Sequence, residues 1–259
     1  MFYGLSGGRV NLEGITIRHQ LEDIQTLNER ATNREPELTA ISAHAYAFAA
    51  DKYWIMRTGA SVGERYGPVI VSKRYQSLDD LRGKAVATPG KLTTATLLFK
   101  LFTEGIHHVD VPFDQIMDRV SKGEFDAGLL IHEGQLTYGC EGFTKILDFG
   151  ELWDSMYKLP LPLGLDVVRK DLGEETARSL SLGLRRSIHY GYTPQKEALP
   201  YVLQFGRGID LQVVEKFVKL NINELTMDMG DRGRSALELL FRLGVEHDAI
   251  PLLRDFQLM

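Results

Sequence analysis

Short runs of apolar residues alternate, from residue 15 to about 168, with stretches in which apolar positions recur every three or four residues. Runs of the first kind suit strands buried on both faces, and stretches of the second kind suit helices with one apolar stripe. The alternation predicts βαβ units and a mostly parallel sheet. Leu21, Ile24, Leu27 and Ala31 carry the helical spacing until Pro36 breaks the chain, and 38–41 reads as a short strand ending at Ser42. An alanine-rich helix is expected over 43–50 and strands over 53–57 and 68–72. Ser77, with Asp80 three positions on, marks a capped helical start; 84–88 reads as a strand stopped by Pro89-Gly90, and 94–103 as a helix stopped by Gly105. A strand over 107–111, a helix over 113–120 and a strand over 125–131 follow. After Gly164 one more strand, 165–168, gives way to helical patterns over 174–190, 194–205, 211–220 and 233–243. The opening segment, 2–5, ended by Gly7-Gly8, reads as a first helix with nothing before it to cap it.

Alternation that ends in a block of helices suits an α/β architecture of two lobes with a ligand cleft between them. The chain is expected to leave lobe one near Ser72 to Tyr75 and to return near Leu161 to Lys170. Lobe one then takes 1–73 and 168–259, and lobe two takes 74–167.

Composition narrows the function more than the fold. The 259 residues are 44% hydrophobic and 25% charged, an ordinary balance for a chain with a sizeable core. A net charge of -5 with scattered basic residues argues against nucleic-acid binding; Arg185-Arg186 is simplest as a solvated helix face. No apolar stretch is long enough to span a membrane, and the start lacks the pattern of a secretory signal, so a cytoplasmic protein is expected. A single cysteine, Cys140, allows no internal disulfide and suits a reducing compartment.

Candidate chemistry gathers where strands end. The run that begins after Phe125 stops at His132, before Glu133 and Gly134. That puts an imidazole at the carboxyl end of a strand, where open α/β sheets bind ligands. Its near-neutral intrinsic pKa suits a general base, and the plainer reading is a histidine that caps a strand and bonds a loop. Pro89-Gly90-Lys91-Leu92-Thr93-Thr94-Ala95 turns out of a strand into a helix whose first N–H groups, with a threonine hydroxyl, could cradle a carboxylate or phosphate. Ordinary threonine capping explains the same pattern. Ala40, Ile41 and Ser42 end a third strand; Ser42 lacks a nucleophile elbow, so binding or capping suits it better than attack. His44 could reach the cleft, but helix-interior histidines more often pack. His107 and His108 point to opposite sides of a strand, His132-Glu133 lacks the second histidine of a zincin, and no Rossmann glycine fingerprint occurs. No metal or cofactor is indicated.

Ser42, Thr94 and His132 come from three parts of the chain and would converge in one cleft. With them the sequence resembles the 1,4-dihydroxy-6-naphthoate synthase family of the futalosine route to menaquinone. The resemblance rests on Phe-Tyr-Gly-Leu at 2–5, Leu-Glu-Asp-Ile-Gln-Thr-Leu-Asn at 21–28, Tyr-Gly-Pro-Val-Ile-Val at 66–71 and Pro-Gly-Lys-Leu-Thr-Thr-Ala at 89–95. It continues through Ala-Gly-Leu-Leu-Ile-His-Glu at 127–133, Leu-Pro-Leu-Pro-Leu-Gly at 159–164 and Leu-Thr-Met-Asp-Met-Gly at 225–230. It implies a periplasmic-binding-protein-like (type II) fold turned into a lyase that cleaves cyclic dehypoxanthine futalosine to the dihydroxynaphthoate and a three-carbon fragment, without metal or organic cofactor. By the resemblance, His132 is the base and Ala40, Ile41, Ser42, Thr94 and Ala95 hold a small-molecule carboxylate substrate. Family members usually carry a short strand and a Cys-Pro-Asn-Asp-Thr loop ahead of the first helix; here neither is present, and Ala40 stands where some relatives have lysine. The competing expectations are a non-catalytic carboxylate-binding protein of the same fold and, ranked lowest, the chorismate dehydratase branch of the pathway.

Overall fold

The computed structural model describes residues 1–192, 216, 218, 220–253 and 255–259. The helices expected over 194–205 and, apart from 216, 218 and 220, over 211–220 lie outside the described residues.

Helix α1 (Tyr3–Ser6) and helix α2 (Ile24–Thr32) precede strand β1 (Leu38–Ser42). Asp23 starts α2 by accepting from the Gln25 and Thr26 N–H groups, as a side-chain carboxylate does at an N-cap. Helix α3 (Ala43–Tyr46), strands β2 (Tyr53–Ile55) and β3 (Ser61–Gly63) follow, and the sheet of lobe one is closed by β9 (Leu161–Arg169) much later in the chain. Strand β9 is the centre of this sheet: β1 runs along one edge, β2 and then β3 along the other, each antiparallel to it. The mostly parallel sheet expected from the alternation is therefore corrected. Strand β9 returns only after the whole of lobe two, so no short βαβ crossover sets its direction, and all three partners pair with it antiparallel.

Lobe two is a sheet in the order β6 (His107–Asp110), β5 (Ala85–Thr88), β7 (Ala127–Leu130), β4 (Val69–Ser72) and β8 (Thr144–Asp148). Here β5 pairs in parallel with β6 and β7, through the helices α4 (Thr94–Phe102) and α5 (Ile116–Ser121) that the periodicity predicted. Strand β4 is antiparallel to β7 and β8. All residues of β7 are buried, as an apolar run at the centre of a covered sheet must be.

The chain crosses between lobes at 64–68 and again at 158–160, after helix α7 (Phe149–Tyr157). Both crossings come earlier than the expected changes at 73/74 and 167/168. The reason is pairing: Val69–Ser72 is buried throughout and needs sheet partners on both edges, which β7 and β8 supply. Strand β9 begins at Leu161 because its first residues pair with β3. The crossing is tight, since a Cβ on Gly67 would lie 2.7 Å from the Gly150 nitrogen, so backbone packs directly on backbone.

Ile41, Ala43 and Tyr46 of lobe one share one core with Leu97, Leu98 and Phe99 of α4. Helix α10 (Gly230–Glu246) adds Leu237 and Leu240 to the same cluster, after helices α8 (Glu174–Tyr192) and α9 (Glu224–Met227). The two lobes thus share apolar surface at this core. Among the described residues no helix is long and apolar enough to cross a membrane.

Candidate active site

Strand β7 delivers His132 to the junction of the lobes, and the backbone there turns sharply. His132 has φ +56, a left-handed conformation that costs energy for a side chain with a Cβ. Helix α6 (Gly134–Thr137) then starts within one turn, and the His132 carbonyl accepts from the Gln135 N–H at 3.2 Å. The imidazole meets the edge of Phe113 with ring centroids 4.9 Å apart.

The Gln135 amide holds this turn in place. Its oxygen accepts from the His132 N–H at 3.2 Å while its nitrogen donates to the Gly67 carbonyl and to the Tyr66 hydroxyl, both at 3.0 Å. The opposite orientation of the amide would set donor against donor and acceptor against acceptor, which fixes the assignment. Asn221 also donates to the Tyr66 hydroxyl, at 3.1 Å, and accepts from Ser61 at 3.2 Å. Burial pushes the Tyr66 phenol up to about 12, opposed by the Asn221 bond.

The second wall is the start of α4. Thr93, not Thr94, is its N-cap: the Thr93 hydroxyl accepts from the Thr96 N–H at 3.2 Å and donates to the Gly90 carbonyl at 2.9 Å. The hydroxyl of Thr94 is engaged with protein on both sides, donating to the Leu163 carbonyl at 2.6 Å and accepting from the His44 N–H at 3.3 Å. Any anion at this helix end therefore meets the backbone N–H groups of Thr94 and Ala95, which have no acceptor among the described residues, rather than the threonine hydroxyl. His44 lies behind the turn, 1% exposed, with its Nδ1 3.1 Å from the Thr93 carbonyl. Because a carbonyl only accepts, that nitrogen carries the proton. Burial holds the imidazole down to about 4, against the opposing effect of the Thr93 bond.

Ser42 forms the third wall. Its N–H donates to Asn28 Oδ1 at 2.8 Å and its hydroxyl accepts from Asn28 Nδ2 at 3.1 Å, so the serine is clamped by an amide rather than activated by a base.

Ser42, Thr94, Ala95 and His132 line one cavity of about 140 Å³, together with Tyr66, Gln135, Gly164 and Asn221. His132 also borders a more open groove of about 270 Å³ with Glu22, Asp23, Phe113 and Glu133, so it stands between an inner chamber and the outside. Strand alternation takes Ile41 the other way, fully buried in the shared core. Ala40 pairs with Asp166 inside the sheet, and neither Ala40 nor Ile41 is part of the cavity wall. Among the described residues no group of three or more His, Cys, Asp or Glu is placed to hold a metal ion.

Sequence reasoning missed Tyr66, Gln135, Asn221, Ser61 and Asn28. Gln135 alone carried a local signal: three positions past a strand-ending histidine, it can reach back across the turn as an N3 side chain reaches an N-cap. The others arrive from distant segments, as Asn221 and Tyr66 do across 155 residues.

The model of the menaquinone-biosynthesis family matches residues 1–246. The chain is 37% identical over 241 residues to the 1,4-dihydroxy-6-naphthoate synthase of Thermus thermophilus, covering 93% of this chain and 88% of that protein. It is 31% identical over 237 residues to the synthase of the same name from Streptomyces coelicolor, covering 89% and 83%. Among solved structures, protein AF1704 of Archaeoglobus fulgidus superposes with a TM-score of 0.92 at 43% identity, covering 96% of this chain and 93% of that one. The alkanesulfonate-binding protein SsuA of Xanthomonas axonopodis pv. citri, bound to MOPS, shares the fold with a TM-score of 0.67 at 13% identity, covering 88% and 81%.

Proposed function

The chain belongs to the menaquinone-biosynthesis family, and we propose that it is the lyase for which its curated relatives are named, releasing 1,4-dihydroxy-6-naphthoate from cyclic dehypoxanthine futalosine. His132 takes the substrate proton whose removal starts the carbon-carbon cleavage. The substrate carboxylate sits at the N-terminus of α4, on the Thr94 and Ala95 N–H groups, beside Ser42. Ala40 and Ile41, assigned to the substrate by resemblance, serve this reading through the strand that presents Ser42.

One observation carries the proposal: the histidine, the unpartnered helix start and the clamped serine line the same chamber. A helix N-terminus favours an anion by roughly 0.3–2 kcal/mol, enough to orient a carboxylate while the base acts elsewhere on the substrate. The cavity of about 140 Å³ is smaller than the roughly 300 Å³ or more usual for a ligand of this size. Parting of the lobes would admit a substrate of this size, and closure would expel water and so strengthen every polar contact in the chamber. A cytoplasmic location goes with this biosynthetic role and with the exposed thiol of Cys140.

The test is incubation of the purified protein with cyclic dehypoxanthine futalosine and chromatographic detection of the naphthoate. Product formation by wild type, lost in His132→Asn, supports the reading. Tight binding of the substrate without conversion would instead make the protein a carboxylate binder of the same fold.

A further inference from the structure

We propose that Tyr66 is a second catalytic group, donating its hydroxyl hydrogen bond to the substrate oxygen on which negative charge collects as His132 removes the proton. The inference rests on the lyase reading above and adds a residue to it.

The argument is a count of lone pairs and protons. A phenol has one proton to give and can accept about two hydrogen bonds. The Tyr66 oxygen receives two amide donors, Gln135 at 3.0 Å and Asn221 at 3.1 Å. Neither amide nitrogen can accept a proton in return. The Tyr66 O–H must therefore donate elsewhere, and Tyr66 lines the chamber that also holds His132, Thr94 and Gly164. The two amides act as a mould that leaves the phenol only its donor function, aimed at a ligand.

Gln135 ties this donor to the base. The same amide that donates to Tyr66 accepts from the His132 N–H, so the positions of proton acceptor and hydrogen-bond donor are set by one side chain. The geometry separates two tasks: the start of α4 is placed for a permanent carboxylate, whereas Tyr66 belongs to the His132 side, where charge develops only during reaction. A donor set in advance within a closed chamber stabilises such charge without reorganising. Burial keeps the phenol protonated, with its ionisation pushed up to about 12. The step moves one proton, from substrate to His132; Tyr66 keeps its own and polarises the oxygen.

The experiment compares wild type and Tyr66→Phe in the full chain with cyclic dehypoxanthine futalosine. Loss of an oxyanion donor is expected to lower kcat about 10²–10³-fold with KM little changed. Because Tyr66→Phe leaves two amides without their acceptor, a second protein carries a polyfluorinated tyrosine at position 66, which keeps the oxygen and both incoming bonds but ionises at lower pH. It should show an alkaline fall in kcat that wild type lacks. A folded Tyr66→Phe protein with wild-type kcat, a loss confined to KM, or a fluorotyrosine enzyme with an unchanged pH profile overturns the role of Tyr66. Absence of turnover in wild type removes the lyase reading itself, so the two failures are distinguishable.

Discussion

His44 and Thr94 meet across the two lobes: the His44 N–H donates to the Thr94 hydroxyl at 3.3 Å, and that hydroxyl donates onward to the Leu163 carbonyl at 2.6 Å. One threonine side chain thus links α3, the start of α4 and the start of β9. It fastens the lobes together, and its hydroxyl is already engaged with protein on both sides.

This gives Thr94→Val a specific signature. Removing the hydroxyl leaves the buried His44 N–H without its partner, a cost of about 1–3 kcal/mol, and releases the part-buried Leu163 carbonyl. Urea unfolding should show a loss of that order, while Thr94→Ser stays close to wild type. KM for the substrate should change little in Thr94→Val if the N–H groups of Thr94 and Ala95 hold the carboxylate. A large KM change with unaltered stability would return the hydroxyl to the ligand.

His132→Asn should lower kcat about 10²–10⁴-fold, the usual contribution of a positioned general base. Calorimetry with the naphthoate product should still detect binding, because the proposed anion site lies on α4 and not on β7. Near-normal turnover in this variant would transfer the base role to another residue.

Gln135→Leu removes the acceptor that holds the His132 N–H in its left-handed turn, and the donors to Tyr66 and Gly67. Small displacements of a reacting group can cost about 10²-fold. Steady-state kinetics should therefore show a fall in kcat with KM nearly constant. Gln135→Glu, which keeps an acceptor for His132, should recover part of the loss; equal defects in both variants would mean that the anchor to His132 does not matter.

Two buried titratable groups pull stability in opposite directions with pH. Burial raises the Asp166 carboxyl from 3.8 to about 7, against the pull of the Met1 amino group. Its folded form favours the proton, so the favourable contribution is complete below pH 3.8 and is lost as pH rises through 7. At about 1.4 kcal/mol per unit the swing is on the order of 4 kcal/mol. Burial lowers His44 from 6.5 to about 4. Its contribution is complete above pH 6.5 and is lost as pH falls toward 4, a swing on the order of 3 kcal/mol. Relative to wild type, Asp166→Asn should gain stability from pH 4 to pH 8, and His44→Gln should gain in the reverse direction. Thermal or urea unfolding across that range reads both slopes, and parallel curves for either variant would contradict the assignment to that group.

Some of this was determined by local sequence alone. The apolar run Ala127–Leu130 reads as a covered strand because it is too short for a buried helix and is bounded by turn residues, and Glu133-Gly134 ends it beside His132. The helix after Gly90 follows equally from its apolar spacing and threonine start. Tertiary structure decided which threonine caps that helix, because Leu163 and His44 claim the Thr94 hydroxyl from 69 and 50 residues away. It also decided strand direction in lobe one, since β1 and β9 pair across the whole of lobe two, which lies between them in the chain. Tyr66 became a candidate donor only once Gln135 and Asn221 had closed around its oxygen. Periodicity reports which face of an element leaves water, whereas hydrogen-bond roles depend on partners brought together from distant segments, and those partners exist only in the folded chain.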